Sequence, residues 1–356
     1  MSPSEKPTIA ILPGIGETLR KEVCPVRICF FVRSPQHQEA TFTTVELAHE
    51  ASLRGHEVSF VSVSSVQHKG DRFLGEAFTL GPQTGSKTRG FLEELLKQRP
   101  LNRDLLEFDA FIYRFASLDH DVPPYPNHLI YQVGRDMEAK GKVCMNSVEG
   151  MKAHTSKAYL QQFSEICPPF IISENSMTLM AFSQQQDGPL VLKPASGYGG
   201  NYFKFISQPR PAHLEEVLNA ATVSGPVMLQ KYVAQLPPTD KRLLMLDGVP
   251  LKEKGQTAIY QRTAAPDQFR SNMSQGATAS PAEFSESDQR IAEAIGPYLK
   301  KKKLYFVGVD ILDDYLLEIN ALCPGGIHRI NQFYSMQVAT HVIRNLEDRV
   351  KLQSTS

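Results

Sequence analysis

Apolar and polar positions follow two different periods in the first third of the chain. Val26–Arg33 is a continuous apolar run, which predicts a buried strand. Thr43–Arg54 then places apolar residues at helical spacing and stops at Gly55, and His56–Val63 alternates as a second strand. A strand, a helix and a strand in this order predict a βαβ unit, and therefore a parallel sheet.

The same unit is expected to continue to residue 147. Phe108–Arg114 and Val143–Asn146 have the apolar character of two further strands. The pattern therefore predicts an N-terminal α/β domain over residues 26–147. Residues 1–25 precede it as an extension, for which both a short strand and a loose segment remain open.

A second unit is expected over residues 148–226. Ser147–Phe163 predicts a helix with Ser147 as its N-cap, and Pro168–Ser173 predicts a strand. Leu190–Pro194 predicts another strand that runs into a glycine-rich stretch, after which Asn201–Ile206 returns as a strand. Two strands with a glycine-rich connection predict a hairpin with a flexible turn, suited to a lid.

A third unit is expected over residues 227–345. It begins with the predicted strand Val227–Val233 and continues with a hairpin of Asp240–Asp247 and Val249–Pro250 around the turn pair Asp247-Gly248. Glu286–Leu299 has the spacing of an amphipathic helix. The Lys300–Lys303 run at its end is interpreted as a solvated helix terminus that complements the helix dipole.

The most specific chemical pattern lies in Val307–Asn320, where two apolar strands flank a turn at Asp313-Asp314. In such a hairpin Glu318 and Asn320 face the same side, Asp310 meets them across the strands, and Leu317 and Ile319 are expected in the core. Two carboxylates and an amide oxygen suit Mg²⁺ that bridges phosphates. The alternative is a strand with one exposed polar face.

Two weaker patterns point to anion binding. Lys193 follows an apolar strand and precedes glycines whose backbone could approach a triphosphate, although GxxxxGK[ST] is absent and a plain turn is an equal alternative. Arg242, Arg262 and Arg270, with Asp240 nearby, could converge on phosphates or carboxylates, whereas single surface arginines are usually solvated. No nucleophile motif of the GxSxG kind occurs in the chain.

Composition narrows the class of protein. Lys+Arg and Asp+Glu both number 38, so net charge does not favour a nucleic-acid partner. The apolar runs are too short for a membrane span, and the N-terminus lacks the pattern of a secretory signal. Five irregularly spaced cysteines indicate reduced thiols. A cytoplasmic protein without membrane partners is therefore expected.

In order and spacing these pieces resemble the ATP-grasp fold, and specifically the bacterial glutathione synthetase family, from about residue 26 to 340. The resemblance implies a Rossmann-like N-terminal substrate domain, a small lid domain and a C-terminal α+β domain. It is carried by the following segments: Asn146–Leu160 with Lys157, LVLKPASGYGG, MLQKYV, TDKRLLMLDGVP, Arg262 with Arg270 eight residues later, ESDQRIAEAIGP, FVGVDIL and LEINALCPGGI.

The resemblance assigns a role to each matching position. ATP would be bound through its phosphates, its adenine and a closing loop by Lys157, Lys193, Ser196, Gly197, Tyr198, Gly199, Gly200, Gln230, Tyr232, Val233 and Asp240. Phosphate and the substrate carboxylate would be bound during catalysis by Arg242, Arg262 and Arg270. Mg²⁺, with Mn²⁺ as a substitute, would be bound by Asp310, Glu318 and Asn320.

The family transfers the γ-phosphate of ATP to a carboxylate, and an amine then attacks the acyl phosphate. The implied reaction joins γ-glutamylcysteine to glycine in a homo-oligomeric enzyme. The sequence departs from the family's pattern in Arg33–Phe42, Arg114–Asp121 and Ala321–Ile327, which are expected to contact the substrates. A ligase for another acid and amine, such as a peptide or natural-product ligase, is therefore the alternative, followed by an inactive ATP-binding module.

Overall fold

The structure is a computed structural model that describes residues 24–83, 85, 87–115, 129–196, 204–208, 210–233, 238–265 and 276–354. Residues 1–23 of the N-terminal extension lie outside the described residues. So do five of the predicted site residues: Gly197, Tyr198, Gly199, Gly200 and Arg270. Within the described part, no helix is both long and apolar enough to cross a membrane.

The first unit contains the parallel sheet that the βαβ pattern predicts. Its parallel strands are β1 (Arg27–Val32), β2 (Glu57–Ser62), β6 (Ala110–Arg114) and β7 (Val143–Met145), in the spatial order β2-β1-β6-β7. The crossover helix α1 spans Thr43–Leu53, and the other helices of the unit are α2 (Thr88–Lys97) and α3 (Leu129–Ala139). The predicted strands and the helix between the first two are thus confirmed.

The same sheet has an antiparallel side that the sequence pattern does not reveal. The strands β3 (Gln67–Lys69), β4 (Arg72–Leu80) and β5 (Leu101–Asp104) extend it, and β4 pairs antiparallel with β2. The sheet is therefore mixed, with β2 as the last parallel strand. The glycine in β4, Gly75, lies where a Cβ would come 2.8 Å from the Val61 side chain, so packing rather than strand propensity selects it.

The middle unit is a four-stranded antiparallel sheet in the order β10-β9-β11-β8. Its strands are β8 (Phe170–Ser173), β9 (Leu190–Pro194), β10 (Lys204–Ile206) and β11 (Val227–Lys231), and its helices are α4 (Val148–Ala153), α5 (Ser176–Gln185) and α6 (Leu214–Thr222). The predicted hairpin of β9 and β10 is confirmed. Strand β11, which the sequence analysis assigns to the third unit, pairs with β8 and β9 of this sheet.

The single helix predicted for Ser147–Phe163 is also wrong. Helix α4 ends at Ala153, and a 3₁₀ segment follows over Lys157–Ile166. The break is stabilised from outside the segment, because Ser156 forms a β-bridge with Ser196 and the Lys157 N–H donates to the carbonyl of Ala195. Tertiary pairing with the end of β9 therefore overrides the helical period.

The third unit is built on a six-stranded sheet whose main path is β17-β16-β12-β18-β19. Its strands are β12 (Thr239–Leu246), β13 (Val249–Pro250), β16 (Ile259–Thr263), β17 (Thr278–Pro281), β18 (Phe306–Leu312) and β19 (Tyr315–Asn320), with a separate small pair β14 (Lys252–Glu253) and β15 (Gln256–Thr257). The helices are α7 (Glu286–Lys301), α8 (Ile327–Tyr334) and α9 (Val338–Ser354). The predicted hairpin at Asp247-Gly248 and the predicted helix from Glu286 are confirmed.

The side chain of Asn146 joins the first unit to the third. Its Nδ2 donates to the carbonyls of Phe306 and Ala321, at 2.7 Å each, and its Oδ1 accepts from the Phe306 N–H at 2.8 Å. Asn146 follows β7, while Phe306 begins β18 and Ala321 follows β19. One buried amide therefore fixes both arms of the β18–β19 hairpin relative to the parallel sheet.

Candidate active site

The β18–β19 hairpin brings the three predicted metal ligands to one face. Asp310 lies directly opposite Glu318, and Asn320 lies opposite Gly308. The Asn320 Nδ2 atom is 3.1 Å from Asp310 Oδ2, so the amide and the carboxylate are neighbours. The carboxylate–carboxylate–amide arrangement expected from the sequence is present.

A β-bulge in β19 changes the expected positions of the leucines. The pairing shifts between Asp310 and Ile311, which leaves Leu317 as the extra residue between Leu316 and Glu318. Leu316 and Ile319 are fully buried, whereas Leu317 is only half-buried and lies outside the core clusters. The expectation that Leu317 faces the core is therefore wrong, because a bulge interrupts the alternation of side chains.

The carboxylate of Asp310 is held between two arginines. Arg242 Nη2 lies 2.9 Å from Oδ2, and Arg262 Nη2 lies 3.1 Å from Oδ1. Burial alone would raise the pKa of Asp310, but the charges of Arg242 and Arg262 outweigh it and lower the pKa to about 2. Asp310 is thus ionised at any physiological pH, as a metal ligand must be.

The two arginines reach Asp310 from neighbouring strands. Arg242 stands on β12 directly opposite Asp310, and Arg262 on β16 is opposite Asp240, to which it forms two bonds of 2.7 Å. Gly308 leaves room for the Arg242 side chain, since a Cβ there would lie 3.0 Å from the Arg242 Cδ. The structure therefore brings together Arg242, Arg262 and Asp240 with the predicted metal ligands.

The two predicted phosphate-binding lysines face this hairpin from the middle unit. Lys157 Nζ lies 3.8 Å from Glu318 Oε1, and Lys193 Nζ donates to Gln230 Oε1 at 2.9 Å. Burial and the neighbouring Lys157 lower the pKa of Lys193 to about 8, against the opposing effect of Glu318. Two buried ammonium groups beside a carboxylate form a strongly polar site that a polyanion would complete.

The remaining predicted nucleotide-binding residues lie within β11 or directly after β9 and β11. Ser196 follows β9, and Tyr232 and Val233 follow β11 and are half-buried. Gln230 is expected to contact adenine, but here its amide oxygen accepts from Lys193. Its described contacts therefore orient the lysine.

Arg114 begins one of the segments that are expected to contact the substrates, but the sequence analysis assigned it no role of its own. The structure shows it buried at the carboxyl end of β6. Its Nε donates to Thr44 Oγ1 at 3.2 Å and its Nη1 donates to the carbonyl of Pro324 at 2.9 Å. No carboxylate among the described residues forms an ion pair with it, and burial lowers its pKa. A charged residue at the carboxyl edge of a parallel strand is the signal that could have identified it, because ligands bind at that edge of open α/β sheets.

Tyr159 was missed as well. Its hydroxyl accepts a hydrogen bond from the Ile319 N–H at 2.7 Å. It therefore provides a partner for a backbone N–H of β19 next to Glu318. Only the structure could show this contact, since the 3₁₀ segment that carries Tyr159 is itself not predicted.

The donor set fits a divalent metal held jointly with phosphates. Asp310, Glu318 and Asn320 supply oxygen atoms of the type that hard cations prefer, and phosphate oxygens and water would complete the coordination. Among the described residues, no group of three or more His, Cys, Asp or Glu residues could bind a metal without such help.

A lid-like antiparallel sheet whose lysines face a hairpin with carboxylates defines the class of ATP-grasp enzymes. Solved structures agree on the fold. The ATP-grasp ligase PsnB complexed with a minimal precursor matches with a TM-score of 0.57 and 15% identity, covering 90% of this chain and 98% of that one. The D-alanine–D-alanine ligase of Bacillus anthracis complexed with ATP matches with a TM-score of 0.52 and 15% identity, covering 92% and 99%.

The model of the prokaryotic glutathione synthetase ATP-grasp domain matches residues 156–335. The glutathione synthetase of Thermosynechococcus vestitus is 30% identical over 251 residues, which is 70% of this chain and 74% of that protein. The one from Vibrio vulnificus strain CMCP6 is 27% identical over 309 residues, 86% and 92% of the two chains. The chain belongs to the prokaryotic glutathione synthetase family, and is an ATP-grasp ligase that uses ATP and a divalent metal to form a carbon–nitrogen bond between small molecules.

Proposed function

We propose that this protein joins γ-glutamylcysteine to glycine, with ATP converted to ADP and phosphate and Mg²⁺ as the divalent metal. The observation that carries the proposal is the 3.8 Å approach of Lys157 to Glu318. It brings the cations that would hold phosphates against the oxygen ligands that would hold the metal, in a chain whose relatives are glutathione synthetases.

The chain's own residues supply positioning and neutralise charge. Transfer of the γ-phosphate to the substrate carboxylate requires ATP and the acid to be held in line while negative charge is balanced. Lys157 and Lys193 would bind the phosphates from the middle unit, and Arg242 and Arg262 would face the transferring group from β12 and β16. A bound Mg²⁺ supplies further charge neutralisation at the phosphate oxygens.

The acid substrate is proposed to bind at the carboxyl edge of the parallel sheet. Arg114 supports this, because it is buried there without a carboxylate partner among the described residues. A guanidinium in that state is suited to a substrate carboxylate, for which it provides a planar pair of donors. The loop after Asn320 reaches the same place through Pro324.

Water must be kept from the acyl phosphate until the amine attacks it. The sheet of the middle unit, which shares an apolar core with α5 and α6, is proposed to close over the site as the lid. We propose the division 26–147, 148–231 and 238–345, with the second boundary placed after β11 because that strand pairs within the lid sheet. A cytoplasmic location and a homo-oligomer are proposed from the family resemblance.

The test is ADP release with ATP, Mg²⁺, γ-glutamylcysteine and glycine, each omitted in turn. Activity that requires all four components is expected. Activity only with another acid or amine would replace the substrates and retain the ligase class, which the altered segment Ala321–Ile327 makes the relevant alternative. No ADP release with any pair would favour an inactive ATP-binding module, and Mn²⁺ in place of Mg²⁺ would show whether the metal can be exchanged.

A further inference from the structure

A histidine–carboxylate pair joins α8 to the first turn of α1. His328 Nδ1 lies 3.1 Å from Glu46 Oε1, and the two side chains are 32% and 13% exposed. The other oxygen of Glu46, Oε2, is buried without a hydrogen-bond partner among the described residues. No described residue bonds Nε2 of His328 either. The imidazole is therefore oriented through Nδ1, while Nε2 remains available to a ligand.

A second histidine–carboxylate pair of the chain provides a comparison. His341 Nε2 lies 3.3 Å from Glu253 Oε2, and these side chains are 35% and 13% exposed. Glu253 Oε2 also accepts from the Gln337 N–H at 2.7 Å, and Oε1 lies 3.5 Å from Lys254 Nζ. Both oxygens of this carboxylate thus have partners within the protein. Glu46 lacks a partner for its second oxygen, so attachment of α8 alone does not account for its arrangement.

The pair of Glu46 and His328 adjoins the guanidinium that is proposed to bind the acid substrate. Thr43 Oγ1 accepts from the first N–H of α8 at 3.4 Å, and Thr44 Oγ1 accepts from Arg114 Nε at 3.2 Å. Thr43 and Glu46 are three residues apart and therefore lie on the same side of α1. One helical turn thus contacts both the pair and Arg114.

The start of α8 also packs beside the predicted catalytic arginines. A Cβ on Gly326 would lie 2.8 Å from Tyr260 Cε1, so the backbone there lies against the tyrosine ring. Tyr260 is directly opposite Arg242, which in turn is opposite Asp310. Directly opposed residues point to the same face of a sheet. Helix α8 therefore begins on the face that carries the predicted metal ligand, two residues before His328.

We propose that His328, oriented by Glu46, is the catalytic base that deprotonates the amine substrate. The proposal rests on the acyl phosphate of the proposed function and adds the proton transfer that follows its formation. An alkylamine is protonated at neutral pH, and its ammonium form has no electron pair with which to attack. A histidine oriented by a carboxylate can accept this proton, and the carboxylate stabilises the imidazolium that forms.

The proposed step moves two protons and exchanges one bond for another. With Nδ1 of His328 donating to Glu46, Nε2 accepts a proton from the ammonium group. The electron pair that is released forms the carbon–nitrogen bond at the acyl carbon. The bond between this carbon and the phosphate oxygen breaks, and phosphate leaves with its electrons. A second proton passes from the nitrogen to the departing phosphate, and His328 returns its own to solvent.

An amine that needs no base distinguishes this role from a structural one. Hydroxylamine is largely unprotonated near neutral pH and traps an acyl phosphate as a hydroxamate, whereas glycine arrives protonated. His328→Gln retains a hydrogen-bonding side chain but has no basic nitrogen. With ATP, Mg²⁺ and γ-glutamylcysteine, its turnover with glycine should fall about 100-fold, while its hydroxamate formation stays within about threefold of the wild type.

Two further variants accompany this measurement. His341→Gln is the matched control, because His341 has nearly the same exposure and the same kind of partner as His328. Its turnover with both amines should equal that of the wild type. Glu46→Gln keeps the shape of the partner and removes its charge, so turnover with glycine should fall about tenfold and hydroxamate formation should be unchanged.

The outcomes separate this proposal from the proposed function. Equal losses with glycine and hydroxylamine in His328→Gln would show a structural role, and wild-type turnover with glycine would show that no base is needed there. Either result would overturn the assignment of His328 and leave the ligase standing. Absence of both ADP release and hydroxamate with the wild-type protein would overturn the acyl phosphate and the base together.

Discussion

Arg242 and Asp310 form a two-point ion pair on adjacent strands, with Nη2 2.9 Å from Oδ2. Asp310 is also the predicted metal ligand on β18. The negative charge of the carboxylate is therefore already balanced by a guanidinium, and a metal ion bound there would share the carboxylate with Arg242. Arg242 and the proposed metal site are therefore coupled electrostatically, so a change in one should alter the charge balance at the other.

Glu318→Ala is expected to abolish turnover without unfolding the protein. Glu318 faces the hairpin surface beside Lys157, and its loss removes one of two carboxylates from the proposed metal site. Because a metal supplies several kcal/mol of charge stabilisation, ADP release should fall more than about 100-fold. Asp314→Ala is the control, since Asp314 is 71% exposed in the turn of the same hairpin. Activity of Glu318→Ala equal to that of the control would refute the metal assignment.

Gly308→Ala is expected to displace the Arg242 side chain. The new Cβ would lie 3.0 Å from Arg242 Cδ and 3.2 Å from Nη1, while Asp310 holds the guanidinium in place. A shift of a few tenths of an ångström in the phosphate-facing group should lower kcat about tenfold. Gly90→Ala in α2, where a Cβ meets nothing within 4 Å, should leave kcat unchanged. Unaltered kcat in the Gly308 variant would show that Arg242 is not a positioned catalytic group.

Nucleotide affinity is expected to weaken above about pH 8. The pKa of Lys193 is lowered to about 8 by burial and Lys157, so the free protein loses this proton in a range where an ordinary lysine keeps it. Phosphate binds the charged form, and binding should therefore take up a proton, with the Kd rising up to tenfold per pH unit above 8. Calorimetry in two buffers of different ionisation enthalpy would measure the uptake. Lys193→Arg should remove it, and a Kd constant from pH 7 to 9.5 would contradict the assignment.

Arg114→Met should weaken binding of the acid substrate and spare the nucleotide. Methionine retains much of the buried volume, while the charge that is proposed to meet the carboxylate is lost. A charge-assisted interaction of about 1.5–3 kcal/mol corresponds to an increase of about 10- to 160-fold in the KM for the acid. The KM for ATP should stay within twofold. Equal increases in both constants would indicate a general structural defect instead.

Glu347→Gln is expected to destabilise the protein near neutral pH and to have no effect near pH 2. Glu347 on α9 binds Arg54 and His56 of the first unit at 2.7 Å each. Burial would raise its pKa, but these two partners lower it to about 2, so its contribution is full above the ordinary glutamate value and is lost as the pH falls from there toward 2. Urea unfolding should show a difference of at most about 3 kcal/mol at pH 7. A difference that does not shrink with acid would contradict this role.

The pattern of apolar and polar residues predicted the elements whose formation depends on residues close together in the sequence. The bounds of β9 agree with the predicted strand Leu190–Pro194, and the β18–β19 hairpin forms around the Asp313-Asp314 turn as expected. The predictions that were wrong failed because of contacts between residues far apart in the sequence or an irregularity in strand pairing. Helix α4 stops early because Ser156 pairs with Ser196, and Leu317 leaves the core because a bulge shifts the register.

The residues of the candidate site were likewise predictable where they are close in the sequence and unpredictable where they are not. Asp310, Glu318 and Asn320 share one hairpin, so strand alternation alone places them together. Arg114 could not be placed, because its partners Thr44 and Pro324 come from opposite ends of the chain and meet only in the folded protein. Motif order identifies the family, whereas the substrate side depends on contacts between distant loops.

The three hydrogen bonds of Asn146 have a mechanical consequence. Because they connect both arms of the β18–β19 hairpin to the parallel sheet, the first and third units are held together at this hairpin. The sheet of the middle unit packs with α5 and α6 in a core of its own, whereas α4 and the 3₁₀ segment contribute Met151 and Leu160 to the core shared with the third unit. We therefore expect a closing motion to be confined to the sheet, α5 and α6. The acid substrate, which is proposed to bind at Arg114, would therefore keep its position relative to the metal ligands while the sheet above them moves.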